Sequence, residues 1–443
     1  MDHYLTTDSP SKAISRFALP MVVGSLFQQI YTLVDSAVVG RYVGEAALAS
    51  IGASFALTTI FICIGVGGGA GASVLIARYF GSRDYKRMKT AIFTSLIGFL
   101  ALSLVLSIFG LVFSKNLMEI LHTPAEILDM AVLYLNIYFY GLPFLFMYNI
   151  ISAFYQALGE SKIPLYFLIF SSVLNVILDI YFVRDLGFGL AGAAYATLLA
   201  QGLSAIFSFL VFIRKIKAIK TEKTEVFDKK ELRLLSNLAI PSIIQQSTIT
   251  IGQLLVQSVV NSFGVEILAG FSAAFRVESL IIVPITSLGN AVSSYTSQNV
   301  GAKKLERLAK VLRASLAMVG IYSVVVLIYL KFNSTNIIAY FMNESSSSLA
   351  RDTGRAYLDF IGYFFILVGS KHCVDGILRG VGDVEVFTLA NIVNLTIRVS
   401  LSMALAHKIG IAMVWYAVPL GWLANLIISS IYYFKINKNE YKL

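Results

Sequence analysis

The sequence predicts an all-α polytopic membrane protein, with twelve transmembrane helices in two pseudo-symmetric six-helix lobes. Three observations carry that expectation. Of the 443 residues, 57% are apolar and 14% charged, whereas an ordinary soluble domain is about 25% charged; the mean hydropathy is +0.77. Twelve stretches approach or exceed the length of about 20 largely apolar residues that a membrane crossing takes. Two segments recur at an offset of 220 or 221 residues: ALPMVVGSLFQQI (18–30) resembles AIPSIIQQSTITI (239–251), and GSRDYKRMKTAIFTSL (81–96) aligns without gaps on GAKKLERLAKVLRASL (301–316).

The twelve spans are read at 17–40, 46–77, 90–113, 130–158, 163–183, 188–213, 234–260, 267–298, 311–331, 353–378, 384–406 and 411–434. The second and eighth are long enough to tilt or to continue past the bilayer. Pro20, Pro143, Pro241, Pro284 and Pro419 fall inside spans. Each removes a backbone donor, so each is a candidate kink. The opening MDHYLTTDSPSKAISRF has mixed charge and no small-residue cleavage site, and is read as retained rather than as a cleaved signal. The longest polar stretch, RKIKAIKTEKTEVFDKKELR (214–233), falls at mid-chain. It is read as a cytoplasmic linker between an N-terminal lobe, 1–213, and a C-terminal lobe, 234–443.

Orientation follows the lysines and arginines, which favour cytoplasmic loops. With the N-terminus placed inside, 25 fall in inner segments and seven in outer ones. Both termini are therefore expected in the cytoplasm, in the inner (cytoplasmic) membrane of the cell. The net charge of +10 reads as cytoplasmic-loop excess rather than a nucleic-acid surface. Two cysteines, both in apolar stretches, exclude a disulfide framework, and four scattered histidines offer no metal cluster. Equal orientation of the six-span halves puts the repeat axis along the membrane normal, with a substrate cavity between the halves.

A charge deep in a bilayer costs a few kcal/mol or more, so it should face a cavity or a partner. The deep acids are Asp35, Asp179, Glu278 and Asp375; the deep bases are Arg276, Lys371 and Arg398. Asn175 precedes Asp179 by four residues and shares its helix face. Thr197 adds a hydroxyl. Two carboxylates, an amide oxygen and a hydroxyl suit Na⁺ or a proton. They could also be a hydrogen-bonded cluster locking helices together. In the second half Asp35 maps near Val256, and Arg398 falls opposite Asn175 or, shifted one turn, opposite Asp179. Arg276 and Glu278, two apart, do not share a face. Lys371 and Asp375, four apart, are positioned to neutralise one another. GVGGGAG (65–71) lacks the strand and βαβ setting of a phosphate loop and reads as small residues for close helix packing. No HExxH or GxSxG pattern occurs, so no enzyme is expected.

The sequence resembles the multidrug and toxic compound extrusion (MATE) transporters, prokaryotic type, over nearly the whole chain. The resemblance rests on FALPMVVGSLFQQIYTLVDSAVVGRYVGEAALA, YFGSRDYKRMK, ALGESKIP, NVILD, SQNVGAKK and LRGVGD, in that order. It implies twelve helices in two lobes and export of cationic or lipophilic compounds, driven by inward Na⁺ or H⁺, with no cofactor. It implies a bent first helix at Pro20, a first-helix carboxylate at Asp35, and an ion site of Asn175, Asp179 and Thr197 with a backbone contribution at Ala193. Small-molecule substrates and membrane lipid are the expected partners, without nucleic acid and with no oligomer required. The expected mechanism is alternating access, in which cation capture at Asp35 and Asp179 changes the balance between inward and outward states. The alternative is a lipid-linked sugar flippase of the same superfamily, whose phosphate-bearing cargo would call for a cationic cavity that only Arg276, Lys371 and Arg398 could supply.

Overall fold

The computed structural model describes residues 2–342 and 347–438. Among the described residues all regular elements are helical. A short turn, α1 (Tyr4–Thr7), precedes α2 (Pro10–Tyr42), α3 (Glu45–Gly81), α4 (Tyr85–Ile120), α5 (Ala125–Ala157) and α6 (Lys162–Asp179). A π-helical turn, Ile180–Asp185, prolongs α6. Then come α7 (Gly189–Ala218), α8 (Lys229–Asn261), α9 (Val265–Gly301), α10 (Glu306–Phe341) and α11 (Ser348–Ile361). A 3₁₀ turn, Gly362–Phe364, joins α11 to α12 (Phe365–Val381), and α13 (Val384–Ile409) and α14 (Ala412–Lys438) follow. The chain stays helical through Pro20, which removes one backbone bond without ending α2.

Among the described residues, eleven helical stretches are long and apolar enough to cross a membrane, with α11 and α12 counting together as one. The twelfth rod, α8, is 33 residues long, but Gln245, Gln246, Gln253 and Gln257 and a charged first turn make it more polar. The helices are built for lipid. On α4, Val105, Ile108 and Val112 are more than 60% exposed, while Ser103, Ser107 and Ser114 are buried. Apolar residues face outward and small polar ones face neighbouring helices, where they allow close approach and hydrogen bonding. Ser107 donates to the Phe139 carbonyl of α5 at 2.6 Å.

The chain divides into two compact units. One holds Asp2 and residues 23–246; the other holds residues 3–22 and the chain from Ser247 onward. In the first unit α3 packs on α5 around Phe61, Phe139, Phe146 and Phe154, with Phe61 and Phe139 edge to face at 5.1 Å. In the second, α9 packs on α11 and α12 around Phe271, Tyr357, Phe365 and Trp415. The boundary cuts two helices. The first part of α2 packs in the second unit, where Ile14, Phe17 and Ala18 join Ala291 and Tyr295 of α9. The first part of α8 packs in the first unit. There, Gly67 and Gly71 of α3 lie against the α8 backbone: a Cβ on Gly71 would sit 2.4 Å from the Leu238 carbonyl oxygen.

The repeat is also visible in the backbone. Gly44 and Gly264, 220 residues apart, open α3 and α9 at φ of 106° and 95°, a conformation open to glycine alone.

Candidate functional site

Three helices of the first unit each contribute two residues four apart: Tyr31 and Asp35 from α2, Asn175 and Asp179 from α6, and Ala193 and Thr197 from α7. Four residues make roughly one helical turn, so each pair presents one face. Asp179 is fully buried and Asn175 1% exposed, whereas Tyr31, Asp35 and Thr197 are half-buried. The Asn175 amide nitrogen donates to the Asp179 carboxylate and to the Tyr31 hydroxyl, each at 2.9 Å. Its oxygen lies 3.2 Å from the Thr197 hydroxyl and 3.0 Å from the Thr197 backbone nitrogen. Thr197 Oγ1 donates to the Ala193 carbonyl at 3.1 Å.

The Asp35 and Asp179 carboxyl groups meet in hydrogen-bonding contact. One oxygen of each, Oδ1, is buried and receives no hydrogen bond. Two carboxyl groups in contact keep charge there only with a shared proton or a cation between them. The oxygen donors gathered here are those that hard cations prefer. A recess in α5 and α7, lined by Tyr134, Tyr138, Gly141, Ala194, Thr197 and Gln201, adjoins the cluster.

Local chain geometry brings the groups together. The π-helical turn begins at the residue after Asp179; such turns occur frequently at functional sites. Gly192 lets α7 approach that turn closely, since a Cβ there would stand 3.1 Å from the Phe182 carbonyl oxygen.

The remaining candidates lie in the second unit and do not form one cluster. Lys371 and Asp375 pair at 3.2 Å, both buried. Lys371 also donates to Asn391 at 3.0 Å, and Ser429 donates to Asp375 at 2.6 Å, so the network ties α12, α13 and α14. Glu278 is buried and receives a hydrogen bond from the Tyr357 hydroxyl. Arg398 faces that pair. Arg276 is exposed on α9. The sequence reading missed Tyr31 and Tyr357. Tyr31 had a signal, its four-residue spacing from Asp35; Tyr357 had none, because its partner is 79 residues away.

Comparison with known proteins agrees with this architecture. The sequence model of the MatE family matches twice, over residues 20–181 and 241–404. The chain is 28% identical to the probable multidrug resistance protein YoeA of Bacillus subtilis (strain 168), over 95% of this chain and 93% of that protein. It is 26% identical to the multidrug export protein MepA of Staphylococcus aureus (strain N315), over 74% and 72%. Among solved structures, a multidrug resistance MATE transporter in an outward-facing conformation superposes with a TM-score of 0.90 at 25% identity, over 98% of this chain and 97% of that one. A MATE protein in complex with MaL6 also gives 0.90 at 25% identity, over 98% of both chains. With both repeats matched by the family model, this multi-pass membrane protein belongs to the MATE family, whose members are transporters and not enzymes.

Proposed function

We propose that the chain is a secondary active antiporter exporting cationic or lipophilic compounds, coupled by alternating access to inward movement of Na⁺ or H⁺. The observation that carries the reading is the contact between Asp35 and Asp179, on separate helices, beside the oxygens of Asn175 and Thr197. The coupling cation is cargo. Asp35 and Asp179 supply its charge partners, Thr197 and the Ala193 carbonyl its neutral oxygens, and Asn175 orients Asp179. Capture of the cation changes the charge of a group that α2, α6 and α7 share. It therefore favours whichever state binds the cation better, and only by that difference in affinity.

Several further elements belong to this reading. Both termini and the 214–233 linker are cytoplasmic, on the 25-to-seven distribution of basic residues. The halves 1–213 and 234–443 are the two lobes by sequence, with residues 3–22 and 234–246 packing in the compact unit of the opposite half, and Pro20 is where α2 bends. The substrate class is supported by the names of two relatives, multidrug resistance for YoeA and multidrug export for MepA. A flippase for phosphate-bearing lipids is less well supported, because Lys371 is neutralised by Asp375 and Arg398 lies near the Glu278 carboxyl.

The test is efflux of a cationic dye from proteoliposomes under separately imposed Na⁺ and pH gradients. Export driven by at least one gradient, and lost in Asp35→Asn and Asp179→Asn, is the expected result. Gradient-independent export, or normal export by both variants, would overturn the reading.

A further inference from the structure

The repeat keeps a fixed register in each part of the chain. Gly44 and Gly264 precede α3 and α9, and Arg83 (φ 61°) and Lys303 (φ 58°) follow them, each pair 220 residues apart. Further on the spacing is 223. Gly159 and Gly382, both at positive φ, precede α6 and α13, and Gly187 and Gly410, again at positive φ, follow them. Both ends give the same register, so Asn394, Arg398 and Ser402 of α13 answer to Ser171, Asn175 and Asp179 of α6. By the same spacings Tyr357 answers to Tyr134 and Glu278 to Thr58. Tyr134 lines the recess beside the Asp35–Asp179 cluster, and the Thr58 carbonyl accepts from the hydroxyl of Tyr138, another lining residue, at 3.0 Å.

The two sets differ in charge. Val256 stands at the place of Asp35 and Ser402 at that of Asp179, so neither place has a carboxylate. Gly252 replaces Tyr31, and Leu395 of α13 packs against it. The second unit holds instead one carboxylate, Glu278, and one guanidinium, Arg398. Glu278 is buried and accepts from Tyr357, and the charge of Arg398 acts on both. Phe271 and Trp415 flank Tyr357 with ring centroids at 5.3 and 5.7 Å. Helix α14 clamps the arginine stem: a Cβ on Gly421 would stand 2.8 Å from Arg398 Cγ and 2.3 Å from Asn394 Oδ1. Asn394, Arg398 and Ser402 are four apart and share a face. Asn394 Oδ1, Arg398 Nε and Ser402 Oγ are buried and without a hydrogen-bond partner. The two oxygens are thus open acceptors on the face that carries the guanidinium.

We propose that Arg398 is a tethered cation, which with Glu278 takes in the second unit the place that the coupling cation takes in the first, so that the chain captures its cation at Asp35 and Asp179 alone. The proposal rests on the cation-coupled reading above. A buried carboxylate needs a counter-charge. Asp35 and Asp179 must draw theirs from solution, whereas the chain itself supplies that of Glu278. A guanidinium keeps its proton at any working pH and, being covalently attached, does not exchange. The sequence halves are therefore alike in fold and unlike in charge: one site is loaded and unloaded, and its counterpart is permanently filled.

Arg398→Ala removes the guanidinium and leaves its place beside Glu278 open. Millimolar methylguanidinium should raise the unfolding midpoint of that variant by several degrees, as a ligand bound only by the folded state does. It should leave the wild type, and Arg398→Ala combined with Glu278→Gln, unmoved. No shift in Arg398→Ala, or an equal shift in the Glu278→Gln background, overturns the proposal. Cation binding to the full chain in detergent, followed with radioactive Na⁺ and by proton uptake, needs no Arg398 variant. The bound cation should be lost in Asp35→Asn with Asp179→Asn and kept in Glu278→Gln. A Na⁺ or proton lost from a Glu278→Gln protein that still elutes as a single species overturns the proposal. If the wild type binds neither cation, the coupling reading falls, and the methylguanidinium result alone decides the role of Arg398.

Discussion

The Tyr31 hydroxyl lies 2.9 Å from the Asn175 amide nitrogen, and this bond joins α2 to α6 one helical turn from each aspartate. Asn175 thereby links the position of α2 to the orientation of Asp179, to which it donates with the same nitrogen. Tyr31→Phe deletes that bond and leaves the ring. A single hydrogen bond is worth about 1 kcal/mol, or up to about tenfold in affinity. The variant should require several-fold more coupling cation for half-maximal dye efflux while its thermal unfolding midpoint stays near wild type. Titration of efflux against cation concentration measures the first, and unfolding in detergent the second.

The carboxylates themselves should be indispensable. Asp35→Asn and Asp179→Asn keep shape but remove the charge a cation needs. Each should lower gradient-driven export at least ~10-fold, the scale of one charge-assisted hydrogen bond, while the protein still inserts and elutes as a single species on gel filtration. Efflux assays with matched protein levels check this.

The Lys371–Asp375 pair should matter for stability. Removing one member of a buried ion pair leaves the other uncompensated, at a cost of about 3–5 kcal/mol. Asp375→Ala should therefore lower the unfolding temperature strongly. Lys371→Met combined with Asp375→Leu should recover most of the loss, because neither charge remains. Thermal unfolding of the three proteins in one detergent makes the comparison.

Glycines of α3 offer a steric contrast. A Cβ on Gly71 meets the α8 backbone, whereas one on Gly52 meets nothing within 4 Å. Gly71→Ala must push α8 away and should cost about 1–3 kcal/mol; Gly52→Ala should be neutral or mildly stabilising. Unfolding midpoints of the two variants test the contrast.

What the sequence made legible was local. Hydropathy and length disclosed the helices, and the four-residue spacing of Asn175 and Asp179 disclosed a shared face, because one turn of helix is a property of a single element. The gap-free alignment of 81–96 with 301–316 anticipated a duplication that the paired turns at Arg83 and Lys303 display. Relations between elements were harder to read. Nothing in the periodicity of α2 says that Phe17 packs beside Tyr295 of α9. Hydropathy cannot tell that Arg276 is exposed while Glu278, two residues on, is buried against Tyr357. The apolar signal is weakest at α8, whose length fits a span although its glutamines lower its hydropathy. The joint of α11 and α12 at Gly362–Phe364 left no mark in an uninterrupted apolar run.

The exchange of leading segments makes the two sequence halves interlocked. A fragment of residues 1–228 would lack the strip that covers Gly67 and Gly71, and one of residues 229–443 would lack the strip that buries Tyr295. Produced singly, each fragment carries an uncovered seam and should be degraded; produced together, each supplies what the other is missing, and affinity purification of one should recover both. Duplication followed by fusion would then have preserved in one polypeptide an arrangement that also suits a pair of mutually completing chains.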